Sequence, residues 1–327
     1  MLLNTQFACD IGIIVEAIKL CTGLILSSFH VSFCYVFQFK VKNFVSENST
    51  SIKKLAVFGN PIAQSKSPLI HQMFAEQFNM TISYERILGE ELTFKDQLTD
   101  FFADANAVGA NITMPFKEAA ANWAHEKSTG VTKANAANTL IRQPNGFRAE
   151  TTDGKGLVSD LLRNNISLTS KKVLLIGAGG AARGAIEDLL SEHPAHIFIS
   201  NRSASNVQRL VEIADDKRVS AVTENECQEL SVDVIINATS LSLNGKVPAI
   251  GDAIFSSHPA VYDMVYQDAD TCFINKAKAL GCTKAFDGLG MLVGQAAESF
   301  YLWFGLRPDV EPVLARMRQE LTSSTKL

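Results

Sequence analysis

Two charged side chains in this 327-residue chain have the types and settings that proton transfer needs. Lys117 closes the run Asn111-Ile112-Thr113-Met114-Pro115-Phe116-Lys117, which reads as a strand turning into a helix, with Thr113 or Met114 near the N-cap and Pro115 in the first turn. A cation in a helix's first turn sits at the end where the backbone dipole disfavours positive charge. It calls for an acidic partner or a lowered pKa, and either suits a proton-donating amine. The bland alternative is a solvated lysine balanced by Glu118. Asp153, in Thr152-Asp153-Gly154 ahead of a helix through Leu157, Leu161 and Leu162, is either a turn carboxylate or the partner that Lys117 lacks.

A second cluster suits a small carboxylate. In Ser65-Lys66-Ser67-Pro68 the proline fits the first helical position and Ser67 the N-cap, ahead of an apolar face of Leu69, Ile70, Met73, Phe74 and Phe78. Ser65 adds a hydroxyl beside the same positive helix end; its alternative role is simply to face water. Gln295, among small and apolar residues, is either a satisfied polar group at a domain interface or a donor to ligand.

The third cluster is Gly177-Ala178-Gly179-Gly180-Ala181, which follows the apolar run Val173–Ile176 and leads into a helical pattern. This strand, tight turn and helix can seat a pyrophosphate on free helix amides, as dinucleotide binding requires; the alternative is a glycine-rich turn kept only for packing. The next strand ends in Asn201-Arg202-Ser203. An Asp or Glu that would grip a ribose 2′-hydroxyl is absent, and Arg202 fits the extra 2′-phosphate of NADP.

The elements that must carry these residues follow a βα grammar. Lys54–Gly59, Tyr84–Ile87 and Val108–Ile112 are strands interleaved with helices, and Pro144-Asn145-Gly146 is a hairpin turn. Apolar strands at Val173–Ile176, Ile197–Ser200, Val219–Val222, Val234–Asn237, Ala260–Asp263 and near Lys284–Phe286 predict an α/β chain with a parallel doubly wound sheet, whose ligands lie at the strands' carboxyl ends. Asn237-Ala238-Thr239-Ser240 and Asp263-Met264-Val265-Tyr266 occupy such ends, and a helix after Asp287-Gly288 and another near Val310–Leu321 close the chain.

Composition narrows the partners. A net charge of −4 leaves no basic footprint for nucleic acid. The six cysteines make no metal-like spacing, and those beyond residue 34 look like free thiols of a reducing, cytoplasmic compartment. Sequons at Asn111 and Asn237 inside apparent core motifs point the same way. Residues 1–51 differ from the rest: Leu20–Phe39 carry no charge and have the length of a membrane span. Asp10 and Glu16 lie ahead of that stretch where a secretory signal would be basic throughout, and the strand and helix grammar begins only near Ile52. We therefore read 1–51 as an extension, mobile or upstream of the true start, and expect no membrane partner.

Taken together, Val57–Pro61 with Ser65-Lys66-Ser67-Pro68, Asn111–Lys117, Ala137-Asn138-Thr139-Leu140, Thr152-Asp153-Gly154, the Gly177 turn, Asn237–Ser240 and Asp287–Leu292 closely resemble shikimate dehydrogenases, in order from residue 53 to about 320. The resemblance implies reversible, NADP-dependent reduction of 3-dehydroshikimate to shikimate in aromatic amino acid biosynthesis. It implies a substrate domain of residues 53–152 plus 288–327, to which the C-terminal helices return, and a Rossmann-like NADP domain of 153–287. It makes Lys117 and Asp153 the catalytic pair, and gives the substrate carboxylate to Ser65 and Ser67. Asn111, Thr113, Asn138, Tyr266 and Gln295 fall to the rest of the substrate. The cofactor falls to Gly177, Ala178, Gly179, Gly180, Ala181, Asn201, Arg202, Ser203, Thr239, Met264 and Gly288, with no metal. The chain departs from the family's usual pattern at Asn135, where glycine is common, at Ala137, at Thr151, where asparagine is common, and at Leu241-Ser242. The nearest rival is a quinate/shikimate dehydrogenase with broader substrate or NAD use; a ligand sensor without turnover is a rival of another class. Nothing in the sequence selects between a monomer and a homodimer.

Overall fold

The computed structural model describes residues 51–324, so the stretch Leu20–Phe39 lies outside the described residues. The chain runs β1 (Lys53–Gly59), α1 (Ser67–Gln77), β2 (Ile82–Leu88), α2 (Phe94–Ala103), β3 (Ala107–Ile112), α3 (Lys117–Trp123), β4 (Glu126–Lys127), α4 (Thr129–Ala134), β5 (Thr139–Gln143), β6 (Gly146–Glu150) and α5 (Asp153–Arg163). It continues β7 (Lys172–Ile176), α6 (Gly180–Ser191), β8 (His196–Ser200), α7 (Ala204–Ala214), β9 (Val219–Ala221), β10 (Val234–Asn237), β11 (Ala260–Asp263), α8 (Cys272–Ala279), β12 (Ala285–Asp287), α9 (Leu289–Phe304) and α10 (Glu311–Ser324).

Two six-stranded sheets result, in the orders β2-β1-β3-β5-β6-β4 and β12-β11-β10-β7-β8-β9. Every pairing in the second is parallel, which the sequence pattern predicts. In β7, Val173 and Leu175 enter one core while Leu174 and Ile176 enter the core on the opposite face. A strand buried on both faces needs apolar residues throughout, and this is why its sequence reads as a continuous run. The first sheet is mixed: β1 is parallel to β2 and β3, whereas β5 runs antiparallel to β3 and to β6 across the Pro144-Asn145 turn.

The C-terminal helices return to the first sheet. Leu289, Val293, Ala296 and Phe300 of α9 and Val313 and Met317 of α10 share one core with Leu55 of β1 and Ile70 and Phe74 of α1. Helix α9 also crosses α5 at Gly156 and Gly294: a Cβ added to Gly294 would lie 3.2 Å from the Gly156 Cα, and one on Gly156 would lie 2.6 Å from the Gln295 amide nitrogen. Only glycines permit this approach, and it brings the start of α5, which bears Asp153, beside Gln295. No helix among the described residues is long and apolar enough to cross a membrane.

Candidate active site

Two cavities open at the carboxyl ends of the two sheets and share a wall. The first, about 500 Å³, is lined by Ser65, Ser67, Asn111, Thr113, Asn138, Tyr266 and Gln295, among others. The second, about 770 Å³, is lined by the turn Gly177–Ala181, by Asn201, Arg202 and Ser203, and by Thr239. Lys117, Asp153, Thr113 and Met264 line both. Gly288 lines the first cavity.

At the junction, Lys117 Nζ donates to Asp153 Oδ2. Their side chains are only 18% and 11% exposed, so each charge answers the other in a partly dehydrated setting. The acidic partner that a cation in the first turn of α3 demands is therefore present. The second carboxylate oxygen, Asp153 Oδ1, accepts from Asn138 Nδ2 at 2.9 Å. Asn138 is held in turn by the Thr152 amide, which donates to its Oδ1 at 2.8 Å, and its Nδ2 also donates to Gln295 Oε1 at 3.2 Å.

The serine end of the first cavity is built differently from the sequence expectation. Ser67 is the first residue of α1 and not its N-cap; Lys66 holds the cap position and makes no side-chain cap bond. The Ser67 amide donates to Ser65 Oγ at 3.3 Å, and the two hydroxyls lie 3.3 Å apart. Pro68 therefore falls at the second helical position, where it has no amide for a cap to satisfy, and the Ser65 hydroxyl meets the amide of the first helical residue. Similarly, Thr113 and Met114 precede a cap at Phe116, and Pro115 lies in the turn before α3.

On the second cavity, Gly177 has φ +110°, a conformation that side chains resist, and a Cβ there would lie 3.1 Å from the Ala238 carbonyl carbon. Gly179 caps α6 with no side chain, and a Cβ added to it would meet nothing within 4 Å. Gly179, Gly180 and Ala181 line this cavity, so the N-terminal end of a twelve-residue helix opens on it. A Cβ on Gly180 would sit 3.8 Å from Lys117 Cδ, which measures how closely this turn approaches the ion pair. Arg202 is exposed at the end of β8 and forms no ion pair among the described residues.

These contents invite comparison with known proteins. The substrate-binding domain model of shikimate dehydrogenase matches residues 57–140, a shikimate/quinate 5-dehydrogenase model matches 160–244, and the shikimate 5′-dehydrogenase C-terminal domain model matches 288–318. The curated shikimate dehydrogenase (NADP(+)) of Colwellia psychrerythraea is 45% identical over 265 residues, covering 81% of this chain and 96% of its own. The chain belongs to the shikimate dehydrogenase family. Among solved structures, an Ael1 enzyme from Pseudomonas putida is 36% identical with a TM-score of 0.77, covering 81% of this chain and 97% of its own. The shikimate 5-dehydrogenase of Thermus thermophilus, solved in complex with NADP(H) and shikimate, is 29% identical with a TM-score of 0.75, covering 83% of this chain and all of its own.

As a shikimate dehydrogenase, the chain accommodates its departures from the family pattern locally. Asn135 ends α4 in the left-handed region, at φ 45° and ψ 44°, where asparagine is the best substitute for glycine, and its amide donates to Glu118 Oε1 at 3.0 Å. Thr151 directs its hydroxyl to the Gly184 carbonyl at 3.4 Å. Leu241 begins a short helical turn in which the buried Ser242 donates to Asp263 Oδ2 at 2.6 Å.

Sequence reasoning missed a buried layer behind the first cavity. Tyr84 donates to Asn111 Oδ1 at 2.7 Å, its ring stacked on that of His71 at 4.6 Å. Complete burial drives the His71 pKa down to about 3, so the ring stays neutral. Thr139 and Ser299 complete the layer. The residue types carry no signal of their own; only the pairing of β3 with β5 and the return of α9 bring them together.

Proposed function

We propose that this chain catalyses the reversible, NADPH-dependent reduction of 3-dehydroshikimate to shikimate. The observation that carries the reading is the Lys117–Asp153 pair at the wall common to a hydroxyl- and amide-lined cavity and a glycine-turn cavity. The second cavity fits NADP: the N-terminal end of α6 opens on it at Gly179 for a pyrophosphate, and Arg202, in no ion pair among the described residues, offers a guanidinium for a 2′-phosphate. Bound NADPH supplies the hydride.

The chain's own residues do the rest. As the substrate ketone oxygen gains negative charge, the Lys117 ammonium stabilises it and gives up a proton from Nζ. Asp153 holds that ammonium in place, and Asn138 holds Asp153. Ser65 and Ser67 take the substrate carboxylate, while Asn111, Thr113, Tyr266 and Gln295 surround the ring. We assign residues 53–152 with 288–327 to the substrate domain and 153–287 to the cofactor domain. We place the enzyme in the cytoplasm, a reading supported by the free thiols Cys227, Cys272 and Cys282 and by burial of both sequon asparagines, Asn111 and Asn237.

An absorbance assay tests this: the purified chain with shikimate and NADP+ is expected to form NADPH, with little turnover of quinate or with NAD+. No NADPH above the enzyme-free control would sink the reading.

A further inference from the structure

Ser299 lies on α9 with no exposed surface and does not line the substrate cavity, yet its hydroxyl reaches four groups around it. It donates to the Gln295 carbonyl at 3.0 Å and receives Asn111 Nδ2 at 3.0 Å; Thr139 Oγ1 lies at 2.8 Å and Thr152 Oγ1 at 3.3 Å. A hydroxyl has one proton and two acceptor sites. The carbonyl takes the proton, the Asn111 amide fills one lone pair, and Thr139 fills the other.

This accounting fixes what Asn111 can offer a ligand. Its amide nitrogen faces the Asn138 carbonyl at 3.1 Å, an acceptor that excludes the flipped orientation, and its second proton is shared between Ser299 Oγ at 3.0 Å and Thr139 Oγ1 at 3.2 Å. Both N–H protons are thereby committed inside the protein. The carbonyl oxygen accepts from Tyr84 and keeps one lone pair. Asn111 therefore faces the cavity as an acceptor, matched to a ligand hydroxyl that donates and mismatched to a ligand oxygen that only accepts.

We propose that Ser299 is a positioning residue for specificity: together with the Asn138 carbonyl and Thr139 it keeps the Asn111 amide protons inside the protein, so that Asn111 reads a ring hydroxyl as a donor. This rests on the shikimate reading of the first cavity. Removing the Ser299 hydroxyl takes away the shorter of the two hydroxyl acceptors on that proton and leaves Thr139 Oγ1 at 3.2 Å, so the amide is held less firmly in its one presentation.

The test is Ser299→Ala assayed with shikimate and with its 4-deoxy and 5-deoxy analogues, alongside the KM for NADP+. For shikimate, KM should rise about tenfold, the factor expected for one lost buried hydrogen bond, while KM for NADP+ is unchanged. For one of the two deoxy analogues, the loss relative to shikimate should be several-fold smaller in the variant than in the wild type, because the hydroxyl it lacks is the one Asn111 reads. An active wild type whose variant keeps the same shikimate KM, or loses equally on all three ligands, overturns the positioning role alone. A wild type without turnover of shikimate overturns the functional reading and this inference with it.

Discussion

The wall of the first cavity is made of side chains that hold one another, whereas the wall of the second is made largely of backbone. At the ends of β3 and β5, Asn111, Asn138, Thr139, Thr152 and Ser299 form a buried hydrogen-bonded layer in which each amide orientation depends on its neighbours. At the ends of β7 and β8, the surface is a glycine turn, bare helix amides and one exposed arginine. The contrast matches the two tasks. A ring with several hydroxyls has to be told from its isomers, which requires donors and acceptors fixed in direction. A pyrophosphate needs only close approach and positive potential, which backbone supplies without a network.

The comparison can be broken most sharply at the common wall. Lys117→Ala removes a charged group that both cavities share, and turnover should fall by about 10³-fold with a KM change of only a few-fold. Turnover within a few-fold of wild type would detach the ion pair from the chemistry. On the second cavity, Arg202→Asp should raise KM for NADPH about a hundredfold while leaving NADH nearly unchanged, since a single charge contact carries the discrimination. Equal effects on both cofactors would remove the 2′-phosphate from Arg202. Gly177→Ala probes the backbone directly: at φ +110° it should raise KM for NADP+ about tenfold and leave shikimate unaffected when NADP+ saturates. An equal rise for both ligands would show that the two walls are not separable.

The smallest effect is on stability, at the seam between α5 and α6. Burial pushes the Asp188 carboxyl up to about 6, with Glu187, Glu298 and Asp153 adding negative charge against the help of Lys155. A carboxyl raised in the folded state stabilises least when ionised, so the chain loses stability as pH rises from about 4 through 6. Asp188→Asn should therefore leave urea stability near pH 4 almost unchanged and add about 1 to 2 kcal/mol at pH 8, allowing for partial exposure. A gain at pH 4 equal to that at pH 8 would exclude the ionisation as its cause.

The same contrast explains how much was legible in the sequence. The second sheet was readable almost strand by strand, because parallel strands buried on both faces are continuous apolar runs and the glycine turn is contiguous in the chain. Lys117 and Asp153 were also legible, one as a cation at the wrong helix end and the other as a candidate for its missing partner. The layer behind Asn111 was not. Tyr84, Thr139 and Ser299 are ordinary residues in their own segments, and their meeting depends on contacts more than a hundred residues apart, such as Asn111 with Ser299. The cap of α1 was misread for a smaller reason: Ser65 and Ser67 both suit a helix start, and only the backbone of Lys66 shows which position each takes.

The meeting of Gly156 with Gly294 also bears on heat. Where two helices touch through backbone alone, the closest point has no rotamers to populate and no methyl groups to repack as temperature rises. Asp153 stands one turn from that point on one helix and Gln295 next to it on the other. The spacing between Asp153 and Gln295 is thus referred to a contact whose nearest point carries no side chain to rearrange.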